Sequence, residues 1–142
     1  MSAFWDSSAL VKLYADEDGA AEARAWSGPI VVSALTLAEV VAAIWEKVVR
    51  SELDGADAET LDDAFIADVR RGRFAVMPVA DTVVARSLSY VRRHRLRAAD
   101  AVQLASALLA READPEADTM AVFDQRLRAA ARAEGLALLP AP

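Results

Sequence analysis

A chain of 142 residues is the size of one domain with its own core, and 55% hydrophobic against 27% charged residues makes it globular rather than disordered. With no cysteine, disulfides, thiolate catalysis and cysteine-held zinc are excluded. A net charge of −6 argues against coating nucleic acid by bulk electrostatics, and leaves room only for a local basic rim.

Ala3-Phe4-Trp5 reads as a short apolar strand that ends at Asp6. Ser8 to Tyr14 follows as a turn or two of helix, broken by the acidic run Asp16 to Gly19 before a second short helix at Ala20 to Trp26. Gly28-Pro29 marks a turn into Ile30-Val31-Val32, a β-branched run expected to be a buried strand. Ser33 then opens a long helix to about Glu52, with Leu35, Leu37, Val40, Val41, Ile44, Trp45, Val48 and Val49 at helical spacing. Asp57 to Arg71 predicts an amphipathic helix and Phe74 to Val79 a third strand.

Thr82 to His94 predicts another helix, and Arg97 to Arg111 one that is apolar nearly all round and so belongs inside. Met120 to Phe123 is a strand ending at Asp124, Gln125 to Ala133 a helix stopped by Gly135, and Leu136 to Leu139 a last strand. No run approaches membrane-spanning length and the start lacks the features of a signal peptide, so a cytoplasmic protein is expected. Neither repeat nor linker is visible, which gives one domain over 1–142. Strands alternating with helices predict an α/β fold with a mainly parallel sheet, whose ligands bind beyond the carboxyl ends of the strands.

Four acids sit where acids are costly: Asp6, Glu39, Asp100 and Asp124, each after an apolar run or within an apolar helix stripe. Singly, each has a plain explanation. Asp6 and Asp124 suit N-caps, Thr36-x-x-Glu39 suits a capping box if the helix begins at Thr36, and Asp100 suits a first-turn acid. Glu39 and Asp100, however, lie along apolar stripes, where a cap gains nothing. All four are expected at the sheet's carboxyl edge, and a hard divalent cation is the simplest way to hold them together. Ser7 and Ser8 are placed to hydrogen-bond Asp6 or to start a helix. The arginine clusters Arg70, Arg71, Arg73 and Arg92, Arg93, Arg95, Arg97 read as solvated helix ends or as a phosphate-binding rim, and His94 as a surface residue.

On D-S-S-A-L-V-K-L-Y, S-x-L-T-L-A-E-V, L-R-A-A-D-A-V-Q-L-A-S-A and F-D-Q-R-L-R-A-A-A-R-A-E-G-L, the chain resembles the PIN-domain ribonucleases, in particular the VapC-type toxins of toxin–antitoxin pairs. The likeness covers almost the whole length, and the third segment is its most specific part. It implies a PIN-like three-layer α/β/α fold with a five-stranded sheet, and it implies Asp6, Glu39, Asp100 and Asp124 as catalytic, metal-holding residues. It further implies Mg²⁺- or Mn²⁺-dependent RNA cleavage to 5′-phosphate and 3′-hydroxyl ends, a homodimer and a VapB-like antitoxin partner. One departure is Val122, where such proteins often carry Ser or Thr. The rival expectations are an inactive PIN-like binding module or a receiver-like Mg²⁺-binding domain. The latter lacks its adjacent acid pair after strand one, since Asp6 is followed by serines.

Overall fold

Side chains alternate across a strand, and that alternation decides how this molecule is layered. In the computed structural model, which describes all 142 residues, β1 (Ala3–Trp5) sends Phe4 into one apolar cluster and Ala3 and Trp5 into another. β2 (Ile30–Ser33) does the same, with Val31 against the first cluster and Ile30 and Val32 in the second. In β4 (Thr119–Ala121) Met120 and Ala121 divide likewise, as do Leu138 and Leu139 in β5 (Ala137–Leu139). Strands apolar on both faces need cover on both faces.

Helices supply it. The second cluster is capped by α1 (Ser7–Leu10), continued as a 3₁₀ turn over Val11–Leu13, with α2 (Ala20–Arg24), α3 (Ala34–Val49) and α4 (Gly55–Arg70). The first is capped by α5 (Asp81–His94), α6 (Ala98–Ala113) and α7 (Gln125–Ala133). With β3 (Phe74–Met77) the sheet has five strands in the order β3-β2-β1-β4-β5, every pairing parallel. The expected three layers are there, and the sheet is wholly rather than mainly parallel. No helix is long and apolar enough to cross a membrane.

Among the boundaries that differ from expectation, three have a clear local reason. β3 stops at Met77 because Pro78 has no N–H to give a ladder. β4 ends before Phe123, whose N–H turns instead to Ser8 Oγ at 2.9 Å. α3 ends at Val49 as Ser51 turns left-handed (φ 59°) and the Glu52 N–H folds back to the Lys47 carbonyl at 2.8 Å.

Two polar contacts correct the reading of individual residues. His94 is not a surface residue: its side chain is 14% exposed, and its Nε2 lies 2.8 Å from Glu134 Oε1, tying α5 to the end of α7. Asp68, on the amphipathic helix α4, does not face solvent but is buried. It accepts the Tyr14 hydroxyl at 2.6 Å and Arg73 Nη1 at 2.7 Å on Oδ2, and Arg71 Nη2 on Oδ1. Arg71 and Arg73 are thereby engaged at the end of α4, and the Tyr14 hydroxyl ties that end to the 3₁₀ turn after α1.

Gly19, in the turn before α2, has φ +88°, and a Cβ there would stand 2.4 Å from Phe123 Cε1. Gly19→Ala is therefore expected to cost about 2–4 kcal/mol, from left-handed backbone strain and overpacking together, read as a fall in urea midpoint.

Candidate active site

The strand order reverses at β1: β2 and β3 lie to one side, β4 and β5 to the other. At such a switch point the carboxyl ends of neighbouring strands lead apart and leave a crevice. Asp6 leaves β1 there, and its own N–H bonds the Ala121 carbonyl of β4 at 3.1 Å. The Asp6 Oδ1 accepts the Ser8 hydroxyl at 2.7 Å and the Ala9 N–H at 3.2 Å, whereas Oδ2 receives no hydrogen bond. At 3% exposure Asp6 is the most buried acid in the chain. Burial drives its pKa up, the bonds from Ser8 and Ala9 pull it down, and the charges of Glu39 and Asp100 push it up again, to about 7.

Glu39 approaches from α3 and is half-buried. Its Oε1 accepts Gln103 Nε2 at 2.6 Å, and the same nitrogen donates to Thr36 Oγ1 at 2.9 Å. Thr36 and Gln103 are fully buried, so a polar strut links α3 to α6 through the core. Thr36 is thus not the start of a capping box; Ser33 caps α3, its Oγ accepting the Leu35 N–H at 3.2 Å. Burial raises the Glu39 pKa, eased by Gln103 and raised further by Asp100.

Asp100 lies in the first turn of α6, half-buried. Burial and the charge of Asp124 raise its pKa, and the positive fields of Arg97 and Arg126 oppose them. Asp124 is exposed, and its Oδ2 caps α7 by accepting the Leu127 N–H at 3.0 Å. Asp6 and Asp124 are therefore N-caps as well as members of the cluster; each cap uses one carboxylate oxygen and leaves the other without a hydrogen bond.

The four acids feel one another's charge in a connected set, Asp6 with Glu39 and Asp100, Asp100 with Glu39 and Asp124. None of them pairs with a lysine or arginine, whereas Glu17 and Asp68 each take two cations and Glu134 takes Arg93. As placed, no three acids stand close enough to grip a single ion. The donor set itself, carboxylate oxygens without a cationic partner and including a buried one, has the chemistry of a hard divalent cation site. Movement of these side chains is needed to close them on one.

The basic rim is narrower than the arginine clusters suggested. Arg93 is taken by Glu134 at 2.5 Å and Arg95 by the Arg92 carbonyl at 2.7 Å. Sequence reading missed Gln103 and Arg126. The first carried a signal: an amide three residues after Asp100, on the same side of an otherwise apolar helix. Val122, at the departure from the expected hydroxyl, is fully buried, and its carbonyl accepts Arg128 Nη1 at 2.8 Å.

Comparison with known proteins accords with this fold. The PIN-domain family profile matches residues 3–138. Ribonuclease VapC45 of Mycobacterium tuberculosis is 38% identical over 97% of this chain and 94% of its own length. Among solved structures, FitAcB from Neisseria gonorrhoeae superposes with a TM-score of 0.68 at 19% identity, covering 96% of each chain. A toxin–antitoxin complex from Klebsiella pneumoniae gives a TM-score of 0.60 at 19% identity over 86% of each.

Proposed function

This chain belongs to the PIN-domain family, and from that premise we propose that its four acids are the metal-holding centre of an endoribonuclease, the toxin of a toxin–antitoxin pair. The reaction rests on 38% identity, over nearly the full length, with a ribonuclease. The observation that carries the site is Asp6, a buried carboxylate with no cationic partner and one oxygen free, at the switch point of the sheet.

Asp6, Asp100 and Asp124 would hold Mg²⁺ or Mn²⁺ through oxygen, with Glu39 completing the set or orienting water. Bound there, the ion supplies Lewis acidity, acidifying water and neutralising charge on phosphoryl oxygens. The chain's own residues prepare the place. Ser8 and the Ala9 N–H fix Asp6 by one oxygen and leave the other for a ligand. Gln103 holds Glu39 by an amide that is itself anchored on Thr36, which sets where that carboxylate points. No histidine takes part, since the only one, His94, is engaged with Glu134.

Titration calorimetry with Mn²⁺, paired with cleavage of an oligoribonucleotide in Mn²⁺ or EDTA, tests this. Heat of binding and cleavage lost in EDTA are expected. Neither heat nor cleavage would leave the chain a PIN-like binding module. Likeness to a solved toxin–antitoxin complex supports an antitoxin partner, and acting on RNA beside it fits a cytoplasmic location. Trp45 and Val49, 38% and 77% exposed on α3, support a homodimer.

Gln103→Leu is expected to cut kcat about 10- to 100-fold by freeing Glu39, the usual effect of removing a group that orients a metal-site ligand. Circular dichroism should show the fold intact.

A further inference from the structure

Most arginines in this chain already have partners. Arg24, Arg50, Arg71, Arg73, Arg86 and Arg93 pair with carboxylates, and Arg95, Arg111 and Arg128 with backbone carbonyls. Of the five left without a partner, Arg70, Arg92 and Arg132 sit in the last turns of their helices, where the dipole favours a cation, and Arg97 and Arg126 do not. Both are exposed, and neither makes a salt bridge or a hydrogen bond. Arg97 is the N-cap residue of α6, one turn before Asp100, and Arg126 follows Asp124 by two residues in the first turn of α7. One guanidinium thus stands on each helix that delivers an acid from this side of the sheet. Both positive fields reach the Asp100 carboxyl.

Two cations at helix N-termini are misplaced for helix stability, because the dipole there favours anions. An unpartnered cation in that position, beside acids that repel a polyanion, suits a ligand that brings its own negative charge. We propose that Arg97 and Arg126 are substrate-positioning residues that hold RNA backbone phosphates on either side of the bond cut at the acid cluster. The proposal deepens the endoribonuclease reading and rests on it. Guanidinium forks suit phosphate oxygens, and two of them, one on each helix, fix the register of the strand across the crevice.

The test is steady-state cleavage of a mixed-sequence oligoribonucleotide in Mn²⁺, across a KCl series, for Arg97→Gln, Arg126→Gln and the double variant. Each single change is expected to raise KM about tenfold with kcat held within about twofold, as loss of a charge-assisted contact made equally in ground and transition states does. The salt slope of log kcat/KM should shallow by about 0.7 per lost single-strand phosphate contact. Mn²⁺ affinity by calorimetry should be unweakened, since removing a cation near Asp100 does not harm a cation site; that readout separates positioning from support of the acids. Arg70→Gln, a free arginine at the opposite, amino-terminal edge of the sheet, should match the wild type. A double variant with unchanged KM and salt slope overturns the proposal while leaving the nuclease reading in place. Wild-type protein that cleaves no RNA overturns both.

Discussion

Asp6→Asn is expected to lower RNA cleavage by about 10²- to 10³-fold, the scale of losing one group that stabilises transition-state charge, and at the same time to raise the melting temperature of the metal-free protein. The two effects share a cause. A carboxylate at 3% exposure with no cationic partner is held against its own desolvation. Its folded pKa of about 7 lies above that of an unfolded aspartate, so between about pH 4 and 7 the unfolded chain sheds a proton that the folded one keeps. Stability therefore falls as pH rises through that window and levels off above it, a loss on the order of 4 kcal/mol for about three pKa units. Asparagine keeps the acceptor for Ser8 and Ala9 and removes the charge. Urea melts in EDTA at pH 4 and pH 8 check this: the variant's advantage should be full at pH 8 and all but vanish at pH 4. In the wild type, Mn²⁺ affinity should strengthen as pH rises through about 7. A variant that loses stability at pH 8 would show that Asp6 is a structural cap and no more.

The opposite sign is expected at Asp68. Burial would raise its carboxyl pKa, but hydrogen bonds from Tyr14, Arg73 and Arg71 outweigh burial and hold it at about 2. A depressed carboxylate stabilises the fold above its unfolded pKa, near 4, and that contribution is lost as pH falls through about 2. Asp68→Ala leaves the Tyr14 hydroxyl and two guanidinium groups without their acceptor. Both arginines are well exposed and can return to water, so the expected cost is about 3 kcal/mol, at the low end for breaking a buried pair. Thermal unfolding at pH 7 and pH 3 checks it: the gap between wild type and variant should narrow at the lower pH. Cleavage at 25 °C should persist in the folded fraction, because Asp68 stands apart from the acid cluster.

The sequence was legible where periodicity and burial agree. Three-residue strands such as Ala3-Phe4-Trp5 announced themselves because both neighbours of each side chain are apolar, which only a doubly covered sheet demands. The four acids stood out for the complementary reason, as charges in apolar surroundings. Asp68 did not, because it sits among the acids of an amphipathic helix, and its burial comes from Tyr14, 54 residues away. His94 was misread for the same reason: its partner Glu134 lies 40 residues on. Arg97 looked like one more member of a basic run, and only the fold separates it from Arg93 and Arg95, whose charges and donors are taken. For Asp6 and Asp124 the cap does not exclude a ligand, since each carboxylate caps its helix with one oxygen and leaves the other without a hydrogen bond.

The middle of the sheet joins strands that lie far apart along the chain. β1 begins at residue 3 yet rests against β4, which begins at residue 119, so the first of the five strands waits for the fourth. Asp6, Glu39 and Asp100 all leave the ribosome before the crevice they line has its second wall. A nascent or truncated chain that stops short of Thr119 carries three of the four acids and lacks the strand that completes the crevice beside them. Non-local closure of this kind is slow to form, and it makes cleavage a property of the finished molecule alone.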